Sequence, residues 1–294
     1  MSTSNSHTTT IEKNNMALNT IIGVDLGGTK LHVARVQGQH IASQSRQLYD
    51  ANASAEVVLQ TVIHGIERHL SPDVKGIGIG VPSVVDPKRG IVYEVANIPA
   101  WREVHLKDKI ESHFNLPVKI NNDVNCFSLG EYHYGNWQDT QDMVCMSLGT
   151  GMGVGLILAG KLYTGQTCGA GELGELQYGD SKLENYCSGQ FFSRYHGSDG
   201  SDVFNRASQG DAAALAIYRT FGEHLAQALS TVLLAYNPQV VVIGGSVSSA
   251  YPFFLDSLNE AMKKFPFQSM WKATRVVQSQ NLNTPVLGAA ALFQ

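Results

Sequence analysis

The sequence predicts an α/β fold made of two related domains. Apolar, β-rich runs alternate with segments of helical periodicity, and this alternation is typical of layered α/β proteins. A strand, a turn of small residues and a returning strand are predicted over Ile22–Val36, and the same order recurs over Met143–Leu158. The recurrence indicates that the two halves of the chain are structurally related and begin with the same order of secondary-structure elements.

The first domain is predicted over residues 20–121. Its opening strand, Thr20–Leu26, ends in a glycine turn and is followed by a second strand, Leu31–Val36. Apolar residues recur every three or four positions between Leu59 and Leu70, which indicates a helix. Pro, Gly and Asn residues bound the remaining elements, which are the strands Gly76–Val81, Ile91–Val95 and Val118–Ile120 and the helix His105–Phe114.

The second domain is predicted over residues 122–284. It begins with a helix over about Asp123–Tyr134, and Asp211 is of the type that caps a long helix. Residues 165–200 are rich in glycine and are predicted to be a loop region. The other predicted elements are the strands Met143–Leu148, Val154–Leu158 and Val240–Ile243 and a helix over about Tyr251–Lys264.

The two ends of the chain differ in character. Residues 1–19 are rich in Ser, Thr and Asn and lack the apolar run of a signal peptide, so they are expected to form a flexible tail. Residues 285–294 form a last predicted helix, which we expect to pack on the first domain.

Composition argues against several classes of protein. Of the 294 residues, 43% are hydrophobic, yet no run approaches the roughly 18 apolar residues of a membrane span. The net charge is −4 and no long basic run occurs, so neither a nucleic-acid partner nor a membrane is expected. The four cysteines are scattered without a CxxC pair, which is typical of reduced thiols in a cytoplasmic protein.

Two glycine turns are candidate phosphate-binding sites. Gly27-Gly28-Thr29-Lys30 and Gly149-Thr150-Gly151 leave backbone N–H groups unshielded, and such groups suit phosphate oxygens. Asp25 lies beside the first turn and is a candidate anchor for Mg²⁺ or for water. Each turn alone fits an ordinary hairpin as well, and it is the repetition that favours phosphate binding.

Asn121-Asn122-Asp123 follows a predicted strand at the junction of the two halves. A carboxylate there could accept the proton of a substrate hydroxyl, as positioned Asp residues do in phosphoryl transfer. The spacing alone leaves open the alternative that Asp123 only caps its helix.

Three acidic residues mark the glycine-rich middle of the chain. Glu172 and Glu175 lie within Gly169-Ala170-Gly171-Glu172-Leu173-Gly174-Glu175, and Glu184 follows shortly after. Carboxylates of this kind can accept hydrogen bonds from sugar hydroxyls. A divalent metal site and a solvated acidic loop remain open as alternatives.

A last candidate feature follows the strand Val240–Ile243. Gly244 and Gly245 open this strand into a helix, which lets a nucleotide approach the backbone. On its own the pattern is generic.

In this order, the motifs resemble those of the ROK sugar kinases, a family of the actin-like, hexokinase-like ATPase superfamily. The resemblance runs from about Ile22 to the C-terminus. One matching segment runs from Gly80–Pro82 through Asp86 and Gly90 to Asn97. The other matching motifs are Asp25–Lys30, Asn122–Asn125 (N-D-x-N), Leu148–Gly153, Gly169–Gly174 (G-x-G-E-x-G), Leu183-Glu184 with Ser188-Gly189, and Ile243–Gly245.

The resemblance implies two actin-like (ribonuclease H-like) domains around a central cleft. It implies an ATP- and Mg²⁺-dependent, glucokinase-like enzyme that phosphorylates a hexose, most often at O6, commonly as a cytoplasmic homodimer. Asp123 would be the general base and would also contact the sugar, together with Asn97, Asn122, Glu172, Glu175 and Glu184. ATP would be bound by Asp25, Gly27, Gly28, Thr29, Lys30, Gly149, Thr150, Gly151, Gly244 and Gly245.

One departure from the family concerns zinc. The family usually has a His three residues after the sugar-loop Glu and then a C-x-C-G-x-x-G-C run, and this His and three Cys bind zinc. Here the position of the His holds Glu175, and the segment Leu176–Lys182 has no cysteine. No structural zinc is therefore expected.

Several alternatives to a glucokinase remain open. They are a kinase for N-acetylmannosamine or N-acetylglucosamine, a fructose or allose kinase, and a sugar sensor without catalysis. A plain ATPase of the actin superfamily is a further alternative, which the sugar-type loop around Glu172 disfavours. A sensor would need neither Asp25 nor Asp123. The repressors of the family carry a helix-turn-helix domain before the first strand, and the nineteen residues preceding that strand here are expected to be too few for one.

Overall fold

The computed structural model describes residues 19–82, 84–95 and 97–294. The predicted tail, residues 1–19, lies outside this part of the chain except for Asn19. The described strands are β1 Thr20–Leu26, β2 Lys30–Gln37, β3 His40–Leu48, β4 Val74–Val81, β5 Val84–Asp86, β6 Ile91–Tyr93, β7 Glu103–Val104, β8 Val118–Asn122, β9 Met143–Leu148, β10 Met152–Leu158, β11 Lys161–Tyr163, β12 Gln177–Tyr178, β13 Ser181–Lys182, β14 Val240–Gly244 and β15 Arg275–Gln278.

Helices occupy much of the rest of the described chain. The α-helices are α1 Ala55–Glu67, α2 Leu106–Phe114, α3 Asp123–Tyr134, α4 Leu183–Cys187, α5 Gln190–His196, α6 Gly200–Ser208, α7 Ala212–Tyr236, α8 Tyr251–Met262, α9 Gln268–Ala273 and α10 Thr284–Ala291. Two short 3₁₀-helices span Leu173–Glu175 and Ser246–Ala250. Among the described residues, no helix combines the length and apolar character needed to span a membrane.

Two five-stranded sheets share one arrangement. The first has the order β3-β2-β1-β4-β8 and the second the order β11-β10-β9-β14-β15. In each sheet the three strands at one end are antiparallel, and the later strands join in parallel. The prediction of a layered α/β fold with a repeated hairpin opening is confirmed.

The central strands carry almost continuous apolar sequence because both faces of each sheet are covered. Ile22, Val24 and Leu26 of β1 are fully buried, as are Val62 and Ile66 of α1. In the second sheet, β9 and β14 pack with the apolar side of the long helix α7. Asp211 caps α7 as predicted, because its Oδ1 accepts a hydrogen bond of 2.8 Å from Ala214 N.

The chain divides into two compact units whose bounds differ from the predicted domains. The first unit comprises the chain up to Trp137 together with Gly165–Gly169 and Leu282–Gln294, and the second comprises Gln138–Thr164 and Ala170–Asn281. Helix α3 thus belongs to the first unit, although the prediction placed it in the second domain. The reason is that α3 packs closely against α10.

Small residues allow the C-terminal helix α10 to pack with its backbone against the first unit. A Cβ added at Gly78 would overlap the carbonyl of Ala289, and a Cβ at Gly288 would overlap the carbonyl of Cys126 in α3. Thr284 Oγ1 also donates a hydrogen bond of 3.2 Å to Glu131 Oε1 of α3. Helix α10 thus packs against β4 and α3 of the first unit.

We expect Gly288→Val to lower the free energy of unfolding by about 3 kcal/mol, the upper end of the usual cost of overpacking. The atom in the way is a backbone oxygen, so α10 would have to move. Urea unfolding measures the effect. Gly149→Ala is the control, because its Cβ would meet no atom within 4 Å; equal midpoints for the two variants would contradict this packing.

Candidate active site

The first glycine turn joins β1 to β2 and lies against Asn97. Gly27 N donates to Lys30 O at 2.9 Å, which closes the turn. A Cβ at Gly28 would lie 2.7 Å from Asn97 Cβ, so only glycine lets this side chain approach so closely. Thr29 and Lys30 are exposed. The structure therefore brings a predicted phosphate residue and a predicted sugar residue together.

Asp25 is partly buried at the end of β1. Burial raises the pKa of its carboxyl from the ordinary 3.8 to about 6, and the positive charge of Arg46 opposes part of this rise. Arg46 is itself held at the start of α10, where its Nη2 donates to Asn283 Oδ1 at 2.7 Å.

Asp25 gives the stability of the fold a measurable pH dependence. The folded protein holds this proton more tightly than the unfolded chain does, so the folded state loses stability as the pH rises from 3.8 to about 6. We expect Asp25→Asn, which cannot ionise, to raise the free energy of unfolding more at pH 7 than at pH 4. Urea unfolding of both proteins at the two pH values tests this, and an equal effect at both would contradict it.

At the junction of β8 and α3, Asn122 rather than Asp123 caps the helix. Asn122 Oδ1 accepts hydrogen bonds from Val124 N at 2.8 Å and from Asn125 N at 3.3 Å. Asp123 is the first helical residue, is partly buried, and accepts from Val124 N at 2.9 Å. The cap is therefore supplied by the neighbouring residue.

The buried thiol of Cys126 lies within electrostatic reach of both Asp123 and Asp25. Burial raises the pKa of this thiol well above its ordinary value, and the negative charges of Asp123 and Asp25 raise it further. The thiol stays neutral at physiological pH. The predicted metal anchor and the predicted base therefore both act electrostatically on one side chain of α3.

A buried network that the sequence did not predict supports this junction. Asn121 Oδ1 accepts hydrogen bonds from Asn125 Nδ2 at 3.0 Å and from Cys168 Sγ at 3.2 Å. Cys168 has a φ of 60°, an uncommon conformation for a residue with a side chain. The second Asn of the N-D-x-N motif was the available signal for this network, which fixes the segment before Glu172.

In the second unit, Glu184 is anchored to the second glycine turn. Its Oε2 accepts from Met152 N at 2.9 Å, and its Oε1 accepts from Gln190 Nε2 at 3.1 Å. A Cβ at Gly151 would overlap the same carboxylate. A predicted sugar residue therefore contacts a predicted phosphate turn directly.

The carboxylates of Glu172, Glu175 and Glu184 lie within electrostatic reach of one another. Although Glu172 has an exposed face, burial raises its pKa, and the negative charges of Glu175 and Glu184 raise it further. Lys182 lies close to this cluster, and its Nζ is 2.6 Å from Glu175 Oε1. The segment of residues 169–184, here called the acidic loop, therefore holds its charged side chains in defined positions rather than as independent solvated groups.

A cavity of about 590 Å³ adjoins the second glycine turn. Gly149 and Thr150 line it, and a Cβ at Gly149 would meet no atom within 4 Å. Sequence reasoning missed most of its lining, although Ser188-Gly189 of the L-E-x-x-x-S-G motif pointed to one wall. The other lining residues are Gly189, Gln190, Phe192, Ser193, Asp199, Gly200, Ser201, Phe204, Tyr218, Ser246, Val247, Ser249 and Ala250.

Gly244 and Gly245 do not line this cavity themselves. Gly245 has a φ of 82°, and a Cβ there would overlap the backbone of Leu148. The glycine therefore makes the turn between β14 and the 3₁₀-helix Ser246–Ala250. It is this 3₁₀-helix that contributes to the cavity wall.

A model of the ROK family matches residues 21–294, nearly all of the described chain. The chain belongs to the ROK family. It is 29% identical to a glucokinase of Thermotoga maritima, with 93% of this chain and 97% of that protein covered. It is also 24% identical to the xylose repressor of Bacillus subtilis, with 92% of this chain and 76% of the repressor covered.

A solved structure of the ROK family has the same fold. The chain superposes on a ROK family glucokinase from Streptomyces griseus, in complex with glucose and AMPPNP, with a TM-score of 0.81 and 29% identity. The match covers 93% of this chain and 99% of the glucokinase. The predicted membership of the ROK family and the predicted actin-like α/β fold are confirmed.

The residues present do not suit the zinc that many ROK proteins bind. Glu175 stands at the position of the family's His, and its carboxylate is paired with the ammonium group of Lys182. A protonated lysine has no lone pair for a metal. Among residues 19–82, 84–95 and 97–294, no group of three or more His, Cys, Asp or Glu side chains could hold a metal ion.

Proposed function

We propose that this ROK protein transfers the γ-phosphoryl group of ATP to a hydroxyl group of a hexose, at O6 as in a glucokinase. The observation that carries the proposal is the second glycine turn. It borders a cavity of about 590 Å³ through Gly149 and contacts Glu184 beside Gly151. The proposed nucleotide site and the proposed sugar-binding residue Glu184 are thereby adjacent within the second unit.

In this proposal the cavity receives the nucleoside of ATP. Its wall combines the rings of Phe204 and Tyr218 with the hydroxyl groups of several serines. Apolar walls with a few placed polar groups are typical of small-molecule sites. The turns Gly149–Gly151 and Gly27–Lys30 offer backbone N–H groups to the phosphates, and Gly245 shapes the turn that precedes one wall.

Asp25 fits a role in binding Mg²⁺. A carboxylate oxygen is a ligand that Mg²⁺ prefers, and the ion is usually held by one or two carboxylates together with substrate phosphates. When bound, the ion supplies charge neutralisation at the phosphates. Asp25 must be ionised for this role, and the positive charge of a bound ion would favour its ionised form.

Asp123 is the proposed general base. It accepts the proton of the sugar hydroxyl as the oxygen attacks the γ-phosphorus, and the carboxylate becomes a carboxylic acid. The capping of α3 by Asn122 supports this role, because the helix does not depend on Asp123 for its cap.

The sugar is proposed to be bound by Asn97, Asn122, Asp123, Glu172, Glu175 and Glu184. The carboxylates accept hydrogen bonds from hydroxyl groups, and the amides can both donate and accept. Glu175 can accept from a hydroxyl but cannot donate to the sugar as an imidazole N–H would. From the family resemblance alone, we also propose that the chain acts as a cytoplasmic homodimer.

A panel of hexoses and N-acetylhexosamines, with sugar-dependent release of ADP as the readout, tests this function. The proposal predicts release that depends on both sugar and Mg²⁺, with glucose among the substrates. The likeness to a xylose repressor favours one rival, a sugar sensor without catalysis. Binding of a sugar without any release of ADP would support that rival.

A further inference from the structure

Lys182 lies between two carboxylates of the acidic loop. Its Nζ is 2.6 Å from Glu175 Oε1, at the end of the 3₁₀-helix Leu173–Glu175, and 3.1 Å from Glu184 Oε1, at the start of α4. The three residues belong to different short elements. One ammonium group therefore joins the end of one element to the start of another.

The contact with Lys182 helps to fix the orientation of the Glu184 carboxylate. The Glu184 side chain is only 19% exposed, and its other oxygen is fixed by the backbone N–H of Met152. Lys182 and Gln190 together determine where Oε1 points. A carboxylate with both oxygens engaged presents its remaining lone pairs in a defined direction.

Lys182 is also the cation that offsets the charge of the cluster. The titratable groups facing Glu172 are Glu175 and Glu184, whose negative charges raise the pKa of Glu172, and Lys182, whose positive charge lowers it. The pKa of Lys182 is raised, first by its hydrogen bond to Glu175, so the ammonium form persists throughout the physiological range.

We propose that Lys182 is a positioning residue of the acidic loop, residues 169–184: its ammonium group orients Glu175 and Glu184 as acceptors for sugar hydroxyls and offsets their mutual repulsion. The inference rests on the proposed function, since it takes this loop to be the sugar site.

The experiment measures sugar binding by titration calorimetry without ATP, between pH 5 and pH 8, using the preferred sugar of the panel. We expect Lys182→Met to weaken sugar binding about tenfold at pH 7, an effect of the size expected for lost charge-assisted hydrogen bonds. Lys182→Arg restores the charge and is expected to bind within about threefold of the wild type. Lys161→Met, an exposed lysine on β11 in the same unit, is the matched control and should bind as the wild type does.

The pH dependence separates positioning from a merely structural role. Removing Lys182 removes the influence that lowers the pKa of Glu172, so the ionised, hydroxyl-accepting form is reached only at higher pH. As the pH is lowered, Lys182→Met should therefore lose its sugar binding at a higher pH than the wild type does. The thermal unfolding midpoint should stay unchanged, because partly exposed ion pairs contribute little to stability.

Two results would overturn the inference. One is sugar binding by Lys182→Met that matches the wild type at every pH. The other is an equal loss at every pH together with a lower unfolding midpoint.

If the wild type binds sugar but releases no ADP, the proposed kinase function fails and the role of Lys182 in binding stands. If the wild type binds no sugar of the panel, the loop is not a sugar site and both fail.

Discussion

Asp123→Asn is expected to lower kcat by about 10²–10⁴-fold, the usual contribution of a general base. The amide keeps the size and polarity of the carboxylate but cannot take the proton of the sugar hydroxyl. Because Asn122 caps α3, the helix should remain intact in this variant. Steady-state kinetics of ADP release, with sugar affinity from calorimetry, measure the two effects separately.

The matched control for this variant is Asp139→Asn. Asp139 is an exposed carboxylate outside the described helices and strands, so the same chemical change there should leave kcat unaltered. If kcat of Asp123→Asn stayed within about threefold of the wild type, Asp123 would not be the base. A large loss of sugar affinity with kcat retained would instead make it a binding residue.

Gly149→Val is expected to raise the KM for ATP at least about tenfold and to leave the KM for the sugar within about threefold. A Cβ at this position meets no protein atom within 4 Å, so the fold can accept the side chain. The added carbons would extend into the cavity that we assign to ATP and would exclude the nucleotide phosphates from the turn.

Ala213→Val serves as the control for this substitution. It adds two carbons at an exposed position of α7 in the same unit and should change neither KM. An unchanged KM for ATP in Gly149→Val would contradict the assignment of the cavity. An equal rise of both constants would show that the turn does not belong to the nucleotide alone.

The hairpin openings could be predicted from sequence because their signal is local. Alternating apolar residues around Gly27–Lys30 and around Gly149–Gly151 specify a strand, a turn and a strand. The boundary between the units could not be predicted in the same way. It depends on the packing of α3 with α10, and Gly130 and Gly288 meet their partners across more than 100 residues of sequence.

The glycine-rich middle shows a second limit of sequence patterns. Residues 165–200 were predicted to be a loop region, yet they contain β12, β13, α4 and α5. These elements have only two to seven residues, which is shorter than the window of about 11–18 residues in which a periodic pattern can be recognised. Long-range contacts also act on this region: Cys168, which precedes these elements, donates a hydrogen bond to Asn121, 47 residues away.

The candidate site likewise combines residues that local motifs predicted with contacts that depend on long-range packing. Motif order predicted Asp25, Asp123 and Glu184 as candidate site residues, because each belongs to a short segment with its own sequence signature. The contact between Glu184 and Gly151 could not be foreseen, because it joins two motifs more than 30 residues apart. The same holds for most of the cavity wall, which is assembled from α5, α6, α7 and the 3₁₀-helix after β14.

The most direct test of the account follows the γ-phosphoryl group itself. Wild-type protein is incubated with Mg²⁺, glucose and ATP carrying an isotopic label on the γ-phosphate, and the products are identified by mass spectrometry. The account predicts that the label enters a hexose phosphate in equal amount to the ADP formed, and that Asp123→Asn forms almost none. Label released as inorganic phosphate at the same rate with and without any sugar of the panel would contradict it.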